Sequence, residues 1–432
     1  MSGRERARSR WLSPAPVTVA PLVLGLALAA CAEEEVEPPP VEPGLPCDNS
    51  IDVPEGYCAI VFHSGVGFAR QLAVADNGDV FVVVRDSGVV GLRDTDDDHR
   101  ADESVRWGTR RGSGIALGDG VLYLARDNDV LRYPLPAGAL RPDGDPVTIV
   151  RGLPSERNHP TKSVALHPDG DIFVAIGSPS NACQVRPRTR GEPGHDPCPE
   201  LETRAGIWRF DGDEEDQELS DGELFATGVR NGAALALHPS TDELYSVVHG
   251  RDQLHELWPE LYSAEEGSEN PSEEFVHLEE GDDFGWPYCY HDPESDTKVL
   301  APEYGGDGEI VGRCAEMKAP EIGLPAHWAP NALTFSNGSF EGEYRSGAFV
   351  AFHGSWNRSP PQGGYNIVWL PFDGNSPSGE WKVFAEGFAG GPISRPNEAD
   401  FRPTGVAAGK DGALYVSDSL RGWIWKIVLE EE

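Results

Sequence analysis

The chain is short of positive charge: Lys and Arg number 35 against 72 Asp and Glu, a formal net charge of −37. A surface of that sign repels phosphate backbones, which excludes nucleic acid as a partner. Most of these acids read as a solvated surface. Apolar runs of helical period are nearly absent, so amphipathic helices do not build the fold. Only one long apolar run occurs, Val17 to Ala30, and it falls short of the about 20 residues a membrane span needs. CxxC spacing is missing too, which removes the usual zinc pattern.

At the N-terminus, Arg4, Arg6, Arg8 and Arg10 precede the apolar run as the basic part of a targeting segment. The run ends in Leu28-Ala29-Ala30-Cys31, which resembles a bacterial lipobox. Residues 1–31 are therefore expected to be a lipoprotein signal peptide, with Cys31 lipidated and first in the mature chain. An ordinary signal peptide with an incidental Cys31 is the competing reading. Glu33, rather than Asp, lies two residues on and implies outer-membrane sorting. Residues 32–46 read as a tether: Glu33, Glu34, Glu35 and Glu37 repel one another, and Pro38-Pro39-Pro40 favours an extended chain. The expectation is an exported protein, periplasmic or at the cell surface, that meets a membrane only through its lipid. Seven cysteines less Cys31 leave six, in local pairs: Cys47 and Cys58, Cys183 and Cys198, Cys289 and Cys314. An oxidising compartment fits three loop staples, although sequence alone does not choose among the possible pairings.

One unit recurs: apolar alternation, a tight polar turn, then a strand. It appears as Leu72 and Val74 with Asp76-Asn77-Gly78-Asp79 and Val80 to Val83. It returns at Ile115 to Leu117 with Asp119-Gly120 and Val121 to Tyr123, and at Val164 to Leu166 with Asp169-Gly170 and Ile172 to Val174. Leu235 to Leu237 with Leu244-Tyr245 is the fourth copy. Ala332 to Phe335 with Ala348 to Val350 is a weaker fifth, and Gly405 to Ala407 with Asp411-Gly412 and Leu414 to Val416 the sixth. Asn-Gly and Asp-Gly supply the positive φ of short hairpins, and the strands carry β-branched and aromatic residues. Six such hairpins with irregular spacing predict an all-β, six-bladed β-propeller with loop insertions over residues 47–432. A β-sandwich is the alternative. The stretch from His255 to Pro330 reads as the longest insertion, covering one mouth.

Several motifs now stand in order: Gly228-Val229-Arg230-Asn231, His249-Gly250-Arg251-Asp252, Gly281 to Cys289 ending in Phe284-Gly285-Trp286-Pro287-Tyr288-Cys289, His353-Gly354-Ser355-Trp356-Asn357-Arg358, Arg402-Pro403-Thr404-Gly405-Val406, and Asp411 to Asp418. Together they resemble the glucose/sorbosone dehydrogenase family, soluble pyrroloquinoline quinone-dependent sugar dehydrogenases, over almost everything after Cys58. The resemblance implies oxidation of the hydroxyl or hydrated aldehyde of an aldose-like sugar or sorbosone, with electrons passed to an external acceptor. It implies His159 as the general base, a task imidazole suits because its pKa lies near working pH. It also implies Arg230, Asn231, Arg358, Arg402 and Lys162 around the cofactor's carboxylates, where guanidinium forks make two-point contacts. Calcium is implied beside the quinone on the backbone carbonyls of Gly250 and Arg251. Trp286 and Trp356 are candidate apolar walls, or blade packing.

The sequence departs from the glucose enzymes at two positions. Their aspartate nineteen residues after the base is here Ser178, as in the sorbosone branch, and a hydroxyl cannot steady an imidazolium as a carboxylate does. Asn158 also stands where those enzymes carry an acid. Separately, Asp94, Asp96, Asp98 and Asp102 are spaced like the start of an EF-hand loop, but His99 replaces the turn glycine and Val105 the closing glutamate. A solvated acidic hairpin tip is the plain reading. Two other functions compete: a catalytically inactive surface-binding propeller, and a calcium-dependent lactonase. The lactonase needs side-chain acids converging on a metal.

Overall fold

The computed structural model describes residues 45–156 and 158–430. The expected signal peptide at 1–31, Cys31 and all of the 32–46 tether but its last two residues lie outside them. Among the described residues no helix is long and apolar enough to cross a membrane.

Six antiparallel sheets of four principal strands form the blades, as the hairpin repeat predicted. The first runs Ala69–Val74, Val80–Val84, Gly88–Arg93 and Glu103–Trp107, and the second Gly112–Gly118, Val121–Arg126, Asp129–Pro134 and Val147–Arg151. The third takes Val164–Leu166, Asp171–Ile176, Gly206–Asp211 and Glu223–Thr227; the fourth Gly232–Leu237, Leu244–Val248, Glu273–Leu278 and Ile322–Leu324. The fifth takes Pro330–Phe335, Gly347–Phe352, Asn366–Asp373 and Lys382–Ala385. The sixth pairs Pro403–Ala408, Leu414–Asp418 and Ile424–Leu429, then borrows Tyr57–His63 as its outer strand. The first strands of the six blades touch in a closed ring around the axis. Each repeat copy read from the sequence is the innermost hairpin of one blade.

The apolar faces are buried in the seams between blades, not inside any one sheet. Phe81 and Val83 of blade one meet Leu122 and Leu124 of blade two. Tyr245, Val247 and Phe275 of blade four meet Phe335, Val350 and Val368 of blade five. Closure of the ring makes each blade cover its neighbour and leaves no inner edge open. Gly405 shows how tight the seam is, since a Cβ there would lie 2.6 Å from the Arg70 carbonyl.

The reading of His255–Pro330 as one insertion needs correction. Glu273–Leu278 and Ile322–Leu324 within it are the outer half of blade four, and Asp282–Asp283 extends blade three in parallel. The strand Glu273–Leu278 opens on two glutamates and lacks the alternation that marks the inner hairpins. The remainder carries two short helices, Leu254–Leu257 and Glu266–Glu269, and the hairpin Cys289–Asp292 with Thr297–Leu300. Three disulfides form, Cys47–Cys58, Cys183–Cys198 and Cys289–Cys314, the three local pairs.

Candidate functional site

An antiparallel hairpin puts its turn at one end and its free ends at the other. The tight turns of the inner hairpins therefore share one face of the ring. The residues before each first strand and after each second strand share the opposite face. His159, Lys162, Arg230, Asn231 and Arg402 precede or begin inner strands, while Ser178, His249–Asp252 and His353 follow second strands. Motifs far apart in sequence meet for this reason.

His159 sits at φ 49°, left-handed, which turns its ring back toward the end of the next strand. Its Nδ1 lies 2.8 Å from the Ser178 carbonyl oxygen. A carbonyl only accepts, so Nδ1 carries the proton and Nε2 keeps its lone pair. The Ser178 hydroxyl donates instead to the Ser180 carbonyl at 2.7 Å. The backbone carbonyl of residue 178 makes the shorter contact with the ring, and its hydroxyl oxygen lies 3.3 Å from the same Nδ1. Burial first, then the charges of Arg230 and His249, push the His159 pKa down to about 3, while Asp252 pulls the other way. A Cβ on Gly177 would come within 2.6 Å of both the Asn231 Oδ1 and the His159 Cβ, so only glycine lets those two side chains approach.

Arg230 is 4% exposed. Its guanidinium donates to the Gly250 carbonyl at 2.7 Å, the Asn181 Oδ1 at 3.0 Å and Asp252 at 2.9 Å. Burial raises the Asp252 pKa, but Arg230, His327 and Arg188 outweigh it and hold the group at about 2. Asn231 bonds the Nδ1 of His249 at 3.2 Å, and the Nε2 of His249 meets the Pro330 carbonyl at 2.8 Å. Burial and Arg230 keep that imidazole neutral, its pKa down to about 4. Arg402 donates to the carbonyls of His353 and Gly354 at 2.9 and 2.7 Å and lies over the Tyr365 ring. Desolvation first, then the charges of Arg402 and Arg70, hold the pKa of the partly buried His353 well below the ordinary histidine value.

Two residues absent from the sequence motifs complete the mouth. Arg70 opens the innermost strand of blade one; its Nε is buried with no hydrogen-bond partner, and it makes no ion pair among the described residues. Burial and the nearby Arg85 pull its pKa down to about 10. Gln71 reaches across the ring to the carbonyls of Ala233 and Asn331 on blades four and five at 2.9 and 3.3 Å, and so bars the channel below the site. The only sequence signal was two adjacent polar residues in a strand that should be apolar.

The other predicted residues divide. Lys162, 1% exposed, donates to the carbonyls of Pro154 and Pro160 at 2.9 and 2.7 Å, and burial lowers its pKa to about 7. Arg358 is not brought to this group: it pairs with Glu269 and donates to the carbonyls of Ser268 and Ala326, lining a separate polar pocket. Arg251 is turned away and buried against Glu303, which also accepts from Trp258. Trp286 is buried and donates to the Asn181 carbonyl, whereas Trp356 is 50% exposed with Arg188 over its ring. Asn158 uses only its carbonyl, which accepts from Arg204. Asp94, Asp96 and Asp102 lie close together at an exposed hairpin tip, with φ 66° at His99 where an EF-hand has glycine.

The charge at the mouth suits an anion: Arg70 and Arg402 make no ion pair among the described residues, and Lys162, also without a carboxylate partner, is held by burial at a pKa of about 7, where an approaching anion favours its proton. The calcium ligands fit poorly. The Gly250 carbonyl already accepts from Arg230, so a cation bound there would face a guanidinium. No group of acids that could hold a metal converges on the mouth among the described residues, which leaves the lactonase reading without its ligands.

A six-bladed ring with a tautomer-locked imidazole, His159, on the face that carries unpaired cations matches a propeller of the quinone-dependent sugar dehydrogenase-like class. The chain belongs to the TrAA12-like family, whose model matches residues 51–430. It is 25% identical over 447 residues to the pyrroloquinoline quinone-dependent pyranose dehydrogenase of Coprinopsis cinerea, covering 89% of this chain and 56% of that one. An uncharacterized protein of Borreliella burgdorferi is 29% identical over 221 residues, 48% of this chain and 49% of that one. The chain thus spans about half the length of the curated relatives it matches. Among solved structures, the calcium structure of Trichoderma reesei family AA12 superimposes with a TM-score of 0.72 at 18% identity, over 88% of this chain and 97% of that one. The holo pyranose dehydrogenase PQQ domain of Coprinopsis cinerea gives 0.71 at 20% identity, over 89% and 98%.

Proposed function

We propose that this protein is a pyrroloquinoline quinone-dependent oxidoreductase that oxidises a hydroxyl, or a hydrated aldehyde, of an aldose-like sugar. The observation that carries the reading is His159: its Nδ1–H is tied to the Ser178 carbonyl, and its Nε2 is left as a proton acceptor on the face of the ring where Arg70 and Arg402 make no ion pair among the described residues. When bound, the quinone supplies the two-electron acceptor for the hydride leaving the sugar carbon. His159 takes the hydroxyl proton at Nε2. Burial and Arg230 disfavour the imidazolium so formed, while the Ser178 carbonyl and the charge of Asp252 favour it. Arg70, Arg402 and Lys162 would hold the cofactor carboxylates, while Arg230 orders the loop of Asp252 and Gln71 closes the floor. No step here uses calcium. Electrons leave to an external acceptor. Export and lipid anchoring through Cys31 complete the proposal; they rest on the N-terminal sequence. The sugar itself, sorbosone included, is set by assay.

The test mixes cofactor-free protein with the quinone and follows retained quinone absorbance and dye reduction with a panel of sugars. Wild-type protein should retain the quinone and reduce dye. His159→Gln should retain it and lose at least about 100-fold in dye reduction. No retained quinone, or full activity in His159→Gln, overturns the reading.

A further inference from the structure

Outward from the mouth, blade one carries a row of arginines that the oxidation chemistry does not use. Arg70 begins the first strand of the blade, Arg85 follows the second, and Arg106 lies near the end of the fourth, all at the mouth end. Strands about 4.8 Å apart make this a line of about 14 Å that runs outward from the axis. Backbone contacts hold it together. The Arg85 N–H donates to the Phe68 carbonyl at 2.9 Å, and the Arg111 N–H to the Arg85 carbonyl at 2.6 Å. The Arg106 guanidinium reaches the Val66 carbonyl at 2.7 Å. Arg106, Arg110 and Arg111 are exposed.

The lining asks for a particular ligand chemistry. The chain has 72 acids to 35 bases, yet Arg106, Arg110 and Arg111 make no ion pair among the described residues. Arg85 is matched by Asp127, and Asp86 follows it in the chain; positive charge is still in excess. At about 0.1 M salt, charges more than about 10 Å away are largely screened, so a short anion meets the row and not the net charge. The row also holds an apolar feature. Phe68 is 45% exposed, with Arg70 over its ring at 6.0 Å. Guanidinium forks take carboxylates, and an exposed aromatic ring gains when the apolar C–H face of a pyranose covers it. A phosphate chain uses the arginines and a neutral sugar the ring; an acidic sugar uses both.

We propose that the rim of blade one, from Phe68 out to Arg106, Arg110 and Arg111, binds the carboxylate-bearing units of an acidic saccharide whose end lies over the mouth. The substrate is then a uronate-containing oligosaccharide. That it is a substrate rests on the oxidoreductase reading above; the binding does not.

Calorimetry on cofactor-free protein compares tri-galacturonate, maltotriose and tripolyphosphate at about 0.05 M sodium chloride. Wild type should bind tri-galacturonate about tenfold tighter than maltotriose, as two surface carboxylate–guanidinium contacts provide. Arg106→Ser combined with Arg110→Ser and Arg111→Ser should abolish that preference. Arg110→Glu with Arg111→Glu leaves the Arg106 hydrogen bonds in place and should abolish it too, which guards against misfolding of the triple variant. Arg100→Ser with Arg141→Ser and Arg345→Ser removes the same charge from exposed positions at the other end of the strands, and should keep the preference. Phe68→Ser should weaken tri-galacturonate about fivefold and leave tripolyphosphate unchanged. Equal affinity for the two sugars in wild type overturns the proposal. So does a preference that survives Arg110→Glu with Arg111→Glu, its loss in the opposite-face triple, or a Phe68→Ser variant that binds tri-galacturonate like wild type. The preference in a protein that retains no quinone upholds the rim and sinks the oxidoreductase; retained quinone and dye reduction without the preference sink the rim alone.

Discussion

His159 is held neutral by its surroundings, and that has a measurable consequence. In cofactor-free protein its Cε1 proton should keep the neutral chemical shift down to the pKa of about 3, far below a free imidazole. A bound tri-anion stabilises the imidazolium, so adding the quinone should move the midpoint upward; an unmoved midpoint means that no anion sits beside the ring. The same pKa carries a sign for folding: between about 6.5 and 3 the unfolded chain binds a proton at this residue that the folded chain does not, so its contribution to stability falls as the pH falls. Arg70 makes a complementary prediction. An unmatched guanidinium in a confined mouth destabilises the empty protein, and it matters only when an anion arrives. Arg70→Leu should raise the melting temperature of cofactor-free protein while weakening quinone binding by about tenfold or more, read by absorbance titration. Neither feature was legible beforehand. Arg70 stands in no motif, and the Ser178 position showed only a missing carboxylate, because which carbonyl faces a ring depends on backbone direction and leaves no trace in residue identity.

Loops set the geometry of the mouth, and disulfides set the loops. Cys183–Cys198 staples the segment that carries Asn181, which accepts from Arg230 and Trp286 and bonds the Asp252 backbone. Replacing both cysteines by alanine should cost about 3 kcal/mol in urea unfolding, the entropy of a loop of this length, and should weaken quinone affinity as Arg230 loses its frame. Inner hairpins were the most legible elements. Asp169-Gly170 and Asp411-Gly412 announce turns by their need for positive φ, realised at 104° and 77°. Outer strands were not: Glu273–Leu278 opens on two glutamates, and Tyr57–His63 lies hundreds of residues from the blade it completes. Pairing partners that distant carry no local signal. Arg358 misled for a related reason, since a family motif fixes a loop's place without saying which way its last side chain swings.

Taken whole, the molecule carries a formal charge of −37, and self-repulsion on that scale works against compactness. Added salt screens it. The melting temperature should rise steadily between about 0.05 and 0.5 M sodium chloride, and a flat or falling profile would show that specific ion pairs outweigh the general field. The ring itself is locked where an early strand completes the last blade: Tyr57–His63 lies on Ile424–Leu429, and Cys58, within that strand and opposite Val428, is tied by a disulfide to Cys47. During synthesis the earliest strand has no partner until the latest one emerges. A nascent chain therefore holds five finished blades and an open seam, vulnerable to proteases and to neighbouring chains, until Ile424–Leu429 arrives and the clasp snaps shut.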